Sequence, residues 1–456
     1  MTDPIARRPA ATRATRVVLV GGGYVGMYTA LRLQRRLSRG QAEIIVIDPQ
    51  ASMTYQPFLP EAAAGSLEPR HVVVSLRRVL PKCRVITATV TEISHARRVV
   101  TVQPTEGDPY DVGYDLLVVA PGSISRLLPI PGLADFGIGF KTIGEAISLR
   151  NHVLGQIDLA ASTEDADLRE RALTFVFVGG GYAGVEAMAE LEDMASYYAR
   201  RYVPTVNPRD LRWYMVEAAS RIMPEVSVKM SAYTADRLTD RGIDVRLETR
   251  LVSAVDGQIE LSDGTTFEAN TLVWTAGVKS NPVITRSDLP RDEKERLVCT
   301  AALTVKGVDG VFSAGDCAAV PDVTGPPGAT TSPSAQHAVR QAKVLAGNIR
   351  ATIVGKPLRD YRHKYVGSVA SLGLYRGAAE VYGIKVKGFL AWFMHRTYHL
   401  SKMPTFNRKI RVLADWTAAL VFRREVVSLG QIEAPREPFI EAAKPLEDEN
   451  VQAAPQ

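Results

Sequence analysis

Two apolar runs in this chain break into the same glycine pattern, and that repetition leaves few folds open to it. The first run is Val17-Val18-Leu19-Val20-Gly21-Gly22-Gly23-Tyr24-Val25-Gly26. The second is Thr174-Phe175-Val176-Phe177-Val178-Gly179-Gly180-Gly181-Tyr182-Ala183-Gly184. Each reads G-x-G-x-x-G, entered by a strand-like run and left through helix formers. In that context the first glycine makes a tight turn, the second lets backbone approach a pyrophosphate, and the third lets helix pack on strand. The helix N-terminus adds free N–H groups and a partial positive charge. One such motif is a weak signal. Two in the same strand–turn–helix setting imply two dinucleotides, a tightly held flavin and a mobile nicotinamide, and hence electron transfer.

The rest of the chain is read around these two anchors. Asp48 ends the strand Glu43–Ile47, about 20 residues beyond the first fingerprint, where an acid accepts hydrogen bonds from ribose hydroxyls. Glu217 ends the strand Leu211–Val216 and is placed in the same role at the second fingerprint, where it repels the extra phosphate of NADPH. The alternative for both is a plain strand-end acid. The pattern predicts helices over Tyr24–Leu37, Lys141–Arg171, Gly184–Tyr198 and Ala335–Ile353. Strands are expected at Arg84–Thr91, Val99–Val102, Tyr114–Val119 with a turn at Gly122, Val245–Leu247, Gln258–Leu261, Leu272–Gly277 and Val311–Ala314 with a Gly315-Asp316 end.

Composition sets the outer limits. The 456 residues suffice for two or three domains, and 46% hydrophobic with 23% charged residues is ordinary for a folded soluble chain. The net charge of +6 is uneven: Lys356–Glu425 holds 14 Lys/Arg against 4 Asp/Glu. A basic segment on a near-neutral body points to an anionic surface, membrane or nucleic acid; no nucleic-acid motif accompanies it. Cys83, Cys299 and Cys317 form no C-x-x-C and no zinc-spaced cluster, so neither a disulfide framework nor a metal site is expected. Arg7, Arg8, Arg13 and Arg16 accompany no apolar h-region, and no apolar run reaches the ~18 residues of a membrane span, so no signal peptide or transmembrane helix is expected.

With these residues in order, the chain resembles the two-dinucleotide-binding-domain flavoproteins and, within them, the type II NADH dehydrogenases (NADH:quinone oxidoreductases), over about residues 16–430. Three features narrow the likeness. Tyr55-Gln56-Pro57-Phe58-Leu59-Pro60 stands where disulfide reductases carry C-x-x-x-x-C. Ser334-Ala335-Gln336-His337-Ala338 resembles the A-Q-x-A element bordering the quinone. Lys387–Trp392 and Arg408–Arg424 resemble the membrane-binding C-terminal segment. Two positions depart from the pattern: Leu374 stands where a basic residue is more usual, and Tyr365 where an acid is.

The resemblance implies an α/β fold with two Rossmann-like dinucleotide-binding domains, for FAD and NADH, plus a C-terminal membrane-associating α+β segment. The divisions expected are a flexible basic arm at 1–15, a discontinuous FAD domain at 16–140 and 273–355, an NADH domain at 141–272, the C-terminal domain at 356–432 and a flexible tail at 433–456. Gly21, Gly23, Gly26, Asp48, Gly122, Gly315 and Asp316 would hold FAD; Gly179, Gly181, Gly184 and Glu217 would hold NADH. Glu186, two residues past the last glycine, would act at the flavin–nicotinamide gap, its alternative being a helix-end acid favoured by the dipole. Ala335 and Gln336 would meet the quinone, and the helix they open would favour negative charge on the flavin. His337 and Cys317 read as structural.

The implied activity is non-proton-pumping NADH:quinone oxidoreduction at the cytoplasmic face of the cell inner membrane. For the membrane contact, Phe389, Leu390, Trp392, Phe393, Met394, Tyr398 and Leu400 supply one apolar helix, and Leu413, Trp416 and Leu420 the stripe of another between basic ends. The alternative for these helices is core or homodimer packing. The rival functions are a soluble NADH-dependent reductase of another acceptor, a sulfide:quinone oxidoreductase, which needs paired cysteines, and a flavin- or NADH-binding sensor without turnover.

Overall fold

A computed structural model describes residues 13–363, 367–422 and 426–428. The first fingerprint strand, Thr15–Val20, lies at the centre of a five-stranded parallel sheet. Its order is Val311–Ser313, Leu116–Val119, Thr15–Val20, Ala42–Asp48, Arg84–Thr87. Val17 pairs with Leu116 on one side and Ile44 on the other. Parallel strands are covered on both faces, which is why Val17–Val20 is apolar without alternation and fully buried. The helix Tyr24–Arg36 packs against Ala335–Ile353, so the first unit is closed by chain from both ends of the sequence.

The second fingerprint strand, Thr174–Val178, occupies the same place in a second parallel sheet. That sheet runs Gly137–Gly139, Thr271–Trp274, Thr174–Val178, Arg212–Val216, Ile243–Arg246. In both sheets the strand order reverses beside the fingerprint, which opens a crevice at the strands' C-terminal ends. Each unit also carries a three-stranded antiparallel excursion, Thr89–Gly113 and Leu251–Glu268. A third unit follows: strands Gly367–Ser371, Gly377–Val381 and Ile384–Lys387, then helices Gly388–Lys402 and Phe406–Val421. Among the described residues, no helix is long and apolar enough to cross a membrane.

Several elements differ from the sequence expectation, each for a local reason. The expected helix Lys141–Arg171 is two, Ile143–Ser162 and Ala166–Ala172. Thr142 and Glu145 form a capping box on the first, and Asp165 accepts from the N–H groups of Asp167 and Leu168 to begin the second. The expected strand Arg84–Thr91 divides at Ala88, whose N–H goes to Asp48 O; Arg84–Thr87 stays in the parallel sheet and Thr89–Ser94 enters the excursion. The largest correction concerns Trp392 and Trp416, expected on a lipid-facing stripe. Both are buried. Trp416 stands edge-on to Phe58, ring centroids 5.7 Å apart, and its Nε1–H donates to Glu61 Oε2 at 2.9 Å.

That contact joins the third unit to the other two. Glu61 lies in the short helix Leu59–Ala63, whose Leu59 and Ala63 are part of the second unit's hydrophobic core although they follow the first unit's second strand in sequence. Arg396 Nη2 sits 3.2 Å from the same Glu61 oxygen, and its guanidinium lies over both indoles, 4.2 Å from the Trp392 ring centre and 4.9 Å from that of Trp416. Truncating Trp416 empties a packed site and leaves Glu61 short of a donor. Trp416→Ala is expected to cost about 3–5 kcal/mol, and Trp416→Phe, which keeps a ring but not the N–H, about 2 kcal/mol. Chemical denaturation of the two variants and the wild type checks the order.

Candidate active site

The two fingerprint turns are built alike, atom for atom in several places. Gly21 and Gly179 hold φ at +101° and +112°, where a side chain is strained, and a Cβ there would also strike backbone, Ala120 O at 2.2 Å or Ala276 N at 2.7 Å. At Gly26 and Gly184 a Cβ would fall 1.8 Å and 2.1 Å from the carbonyl oxygens of Gly21 and Gly179, so helix and turn touch directly. At Gly23 and Gly181 a Cβ meets no atom within 4 Å. The middle position is thus open on the side where the motif brings backbone to a pyrophosphate, and both turns fit dinucleotide phosphates.

The acids expected at the ribose also hold these turns. Asp48 Oδ2 accepts the Gly22 N–H at 2.6 Å and its Oδ1 the Gln50 N–H at 2.7 Å. Glu217 Oε2 accepts the Gly180 N–H at 2.6 Å and its Oε1 the Ala219 N–H at 2.7 Å. Burial pushes the Asp48 carboxyl above its ordinary value, against the two backbone donors that favour its charge.

Between the sheets lies a cleft of about 470 Å³. Its wall brings together Glu186, Ala335, Gln336 and Asp316 with Gln56, Lys141, Tyr182, Thr275 and His399. The glycines of both fingerprints, Asp48 and Glu217 are not part of that wall, though Tyr182 and Ala183 of the second turn are; Gly122 and Gly315 follow the strands Leu116–Val119 and Val311–Ser313 at the first sheet's C-terminal edge. Ser123 Oγ donates to Asp316 Oδ2 at 2.7 Å, and Lys141 Nζ donates to Ser123 Oγ at 2.8 Å. Burial pulls the Lys141 ammonium down, opposed by Asp316 and Glu145. Ser334 caps the helix Ala335–Ile353 by accepting from the His337 N–H, and that helix starts at the cleft wall.

Glu186 and Gln336 already have partners. Glu186 is buried; its Oε1 accepts the Ser371 N–H at 2.8 Å and stands 3.2 Å from His395 Nε2. Gln336 Nε2 donates to Gly367 O at 3.1 Å, while its Oε1 accepts from Arg340 at 3.0 Å. His337 pairs with the Tyr361 hydroxyl at 2.8 Å. Cys317 is wholly buried, its thiol pushed up to about 11 by burial, and none of the three cysteines lines the cleft. At the unusual Leu374, the backbone N–H goes to Asp193, and a basic side chain arrives two residues later, where Arg376 Nη1 reaches Asp193 Oδ1 at 3.5 Å. Tyr365 lies outside the described residues. His395, Arg396, Glu61 and Glu190 were not singled out from sequence. Their one sequence signal is the pair of i, i+4 spacings Glu186/Glu190 and His395/His399 on facing helices.

Two parallel sheets with matching glycine turns and a cleft lined by both units define an α/β enzyme frame for two dinucleotides. Residues 15–342 match the family described as Pyridine nucleotide-disulphide oxidoreductase. The type II NADH:quinone oxidoreductase of Staphylococcus aureus is 30% identical over 388 residues, 84% of this chain and 93% of that protein. The type II NADH:quinone oxidoreductase Ndh of Mycobacterium tuberculosis is 29% identical over 437 residues, 92% and 91% of the two chains. Among solved structures, NDH2 of Plasmodium falciparum in complex with NADH superimposes with a TM-score of 0.83 at 16% identity, covering 91% of this chain and all of that one. The chain belongs to the pyridine nucleotide-disulphide oxidoreductase family and, within it, to the type II NADH:quinone oxidoreductases. The sulfide:quinone oxidoreductase of Aquifex aeolicus shares the fold, at a TM-score of 0.69 and 17% identity over 89% of this chain and 93% of that one. Here Cys299 and Cys317 are buried and Cys83 half-buried, and none of the three lines the cleft, where sulfide chemistry requires a pair.

Two predictions follow from the turns. Gly23→Val has room in the protein but fills the open side of a turn that fits a pyrophosphate, so it is expected to give folded, colourless protein; Gly26→Val drives side chain into backbone and is expected to lower soluble yield as well. Circular dichroism with flavin absorbance separates the two. Glu217→Ala is expected to narrow the preference for NADH over NADPH in kcat/KM by roughly tenfold, the factor that about 1.4 kcal/mol represents. Equal wild-type efficiency with both cofactors would place the discriminating acid elsewhere.

Proposed function

We propose that this protein is a non-proton-pumping NADH:quinone oxidoreductase that holds FAD at the first fingerprint, binds NADH at the second and works against the surface of an anionic membrane. The observation that carries the reading is the cleft between two units with matching dinucleotide turns, walled by Asp316, Ala335 and Gln336 of the first unit and Tyr182, Glu186 and Thr275 of the second. A bound FAD would supply the two-electron redox chemistry that links NADH to quinone. Gly21, Gly23, Gly26 and Asp48 would hold its adenosine half, and Gly122, Gly315 and Asp316 the ribityl and pyrophosphate, with Lys141 and Ser123 fixing the Asp316 carboxylate. Gly179, Gly181, Gly184 and Glu217 would hold NADH. The capped N-terminus at Ala335 directs partial positive charge into the cleft, where negative charge gathers during reduction. Gln336 would donate to a quinone carbonyl from its second amide hydrogen, and Glu186 would exchange a proton at the gap.

A lipid quinone must be met at the bilayer, and the third unit offers the surface for it. With Trp392 and Trp416 turned inward, the outward apolar face consists of Phe389, Leu390 and Phe393 on one helix and Phe406, Ile410 and Leu413 on the next. The hairpin tip adds Tyr382 and Ile384, both strongly exposed. Lys385, Lys387, Lys402, Arg408, Lys409 and Arg411 accompany this face. Apolar side chains ringed by basic ones suit an interfacial layer, each buried aromatic contributing about 1.5–3 kcal/mol and each nearby cation about 1 kcal/mol. The place of the protein would be the cytoplasmic face of the inner membrane, held peripherally. The Leu420 side chain, Arg423 and Arg424, expected in the same face, lie outside the described residues.

One preparation tests both parts. Purified protein is expected to be yellow, to bleach with NADH and to recover its colour with a short-chain quinone; failure to recover with any quinone would overturn the acceptor. Phe389→Glu, Phe393→Glu and Ile410→Glu together are expected to release the protein from anionic liposomes while FAD stays bound. Turnover of a long-chain quinone in those liposomes should drop far more than turnover of a short-chain one. Unchanged sedimentation would assign the face to a second copy of the chain.

A further inference from the structure

The reading above leaves a buried cluster of ionisable groups without a task. His395 is 1% exposed, in the middle of the helix Gly388–Lys402. Its Nε2 lies 3.2 Å from Glu186 Oε1, and Glu186 forms part of the cleft wall. His395 is therefore one ion-pair contact behind the wall, on the side away from the cleft. One turn on, His399 is itself in the wall, its ring centre 4.6 Å from that of His395, its Nδ1 3.2 Å from the Tyr55 hydroxyl.

The charges facing His395 come from three elements. The helix Tyr182–Tyr202 presents Glu186 and Glu190; the helix Leu59–Ala63 presents Glu61; its own helix adds Arg396, which is bound to Glu61, and His399. Glu190 Oε1 accepts the Ser371 hydroxyl at 2.7 Å, beside the Ser371 N–H that Glu186 takes. Three carboxylates thus meet one guanidinium and one imidazole, all buried. Uncompensated charge is costly there, and a proton on His395 lessens the imbalance. Burial opposes that proton, but Glu186, with Glu61 and Glu190 behind it, holds the His395 imidazolium above its ordinary value. The same arrangement keeps His399 neutral: burial, then repulsion from His395, depresses it well below the usual range.

Stoichiometry gives such a proton a use. NADH + H⁺ + quinone → NAD⁺ + quinol carries two electrons and consumes, besides the hydrogen that NADH brings, one proton from the medium. That proton has to reach a carbonyl oxygen inside the cleft. We propose that His395 holds it and passes it through Glu186 to the acceptor. The Nε2–H bond of His395 breaks as a proton bonds to Glu186 Oε1, the carboxylic acid gives a proton to the reduced acceptor oxygen, and His395 is recharged from the medium. His395 is a positioning and proton-holding residue here, since Glu186 is the group that meets substrate. The inference rests on the quinone-reductase reading and deepens it.

Half-reactions separate the two. In stopped-flow experiments with the purified holoenzyme, NADH bleaches the flavin and ubiquinone-1 restores its absorbance. Wild-type recovery is expected to be fast at low pH, to slow as pH rises through a limb above the ordinary imidazole range, and to carry a solvent deuterium isotope effect. In His395→Gln the limb and the isotope effect should vanish and recovery should slow by at least about tenfold, while bleaching by NADH and the KM for quinone stay near wild type. Glu190→Gln removes one carboxylate facing His395 and should move the limb to lower pH. Independently of turnover, the imidazole NMR signal lost in His395→Gln should titrate above the ordinary range in wild type and lower in Glu190→Gln. A wild-type profile flat in pH without an isotope effect, or a His395→Gln profile superimposable on wild type, would overturn the role of His395. Failure of wild-type flavin to recover with any quinone would overturn the quinone reading instead.

Discussion

A carboxylate at a strand end that accepts the N–H of the residue after the motif's first glycine is the contact on which each half of this enzyme depends. Asp48 takes Gly22 and Glu217 takes Gly180, both at 2.6 Å. A backbone donor in a tight turn beside a packed core has no other partner at hand, and leaving it unmet would cost about 1–3 kcal/mol. The carboxylate meets that need and pins strand to turn. The turn then sets where the helix begins, because at Gly26 and Gly184 helix backbone rests on turn backbone without room for a methyl group. The helix axis follows from that one hydrogen bond and the glycine contact beside it.

The third unit is attached by a different means. Acidic side chains of Tyr182–Tyr202 take basic or backbone partners from outside their own unit or from its far helix: Glu186 with His395 and Ser371, Glu192 with Arg241, Asp193 with Arg376 and Leu374. Arg241 in turn donates to Leu372 O at 2.6 Å. Such contacts in a dry interface are costly unless every group is matched, so they favour one registration over a general stickiness. The stacked Trp392–Arg396–Trp416 group adds apolar area around the most buried of these charges. The helix that leaves the second glycine turn is thus also the helix on which the third unit is seated.

What could be read in the chain before its fold was known divides along the same line. The turns, Asp48 and Glu217 were legible because their chemistry is local: a strand, a turn and an acid at a strand end are all marked by neighbouring residues. The paired sheets followed. Trp416 was not legible, because an apolar stripe at i, i+3 looks the same whether it faces lipid or a Phe58 contributed by a loop more than 300 residues earlier. His395 gave no signal by itself; its meaning comes from Glu186, Glu190 and Glu61, which reach it from two other helices. Helix breaks were missed where a polar residue inside a helical stretch, Asp165, served as the start of a new helix.

The short helix Leu59–Ala63 leaves the first unit and lodges in the core of the second, where Trp416 and Arg396 of the third hold it through Glu61. All three units share that peg. Opening them against one another would pull apolar residues and a buried carboxylate into water together, so the peg resists a hinge motion between the units. The width of the cleft between the units is then a built dimension, set at folding. Selectivity in such a device rests on what fits a standing slot.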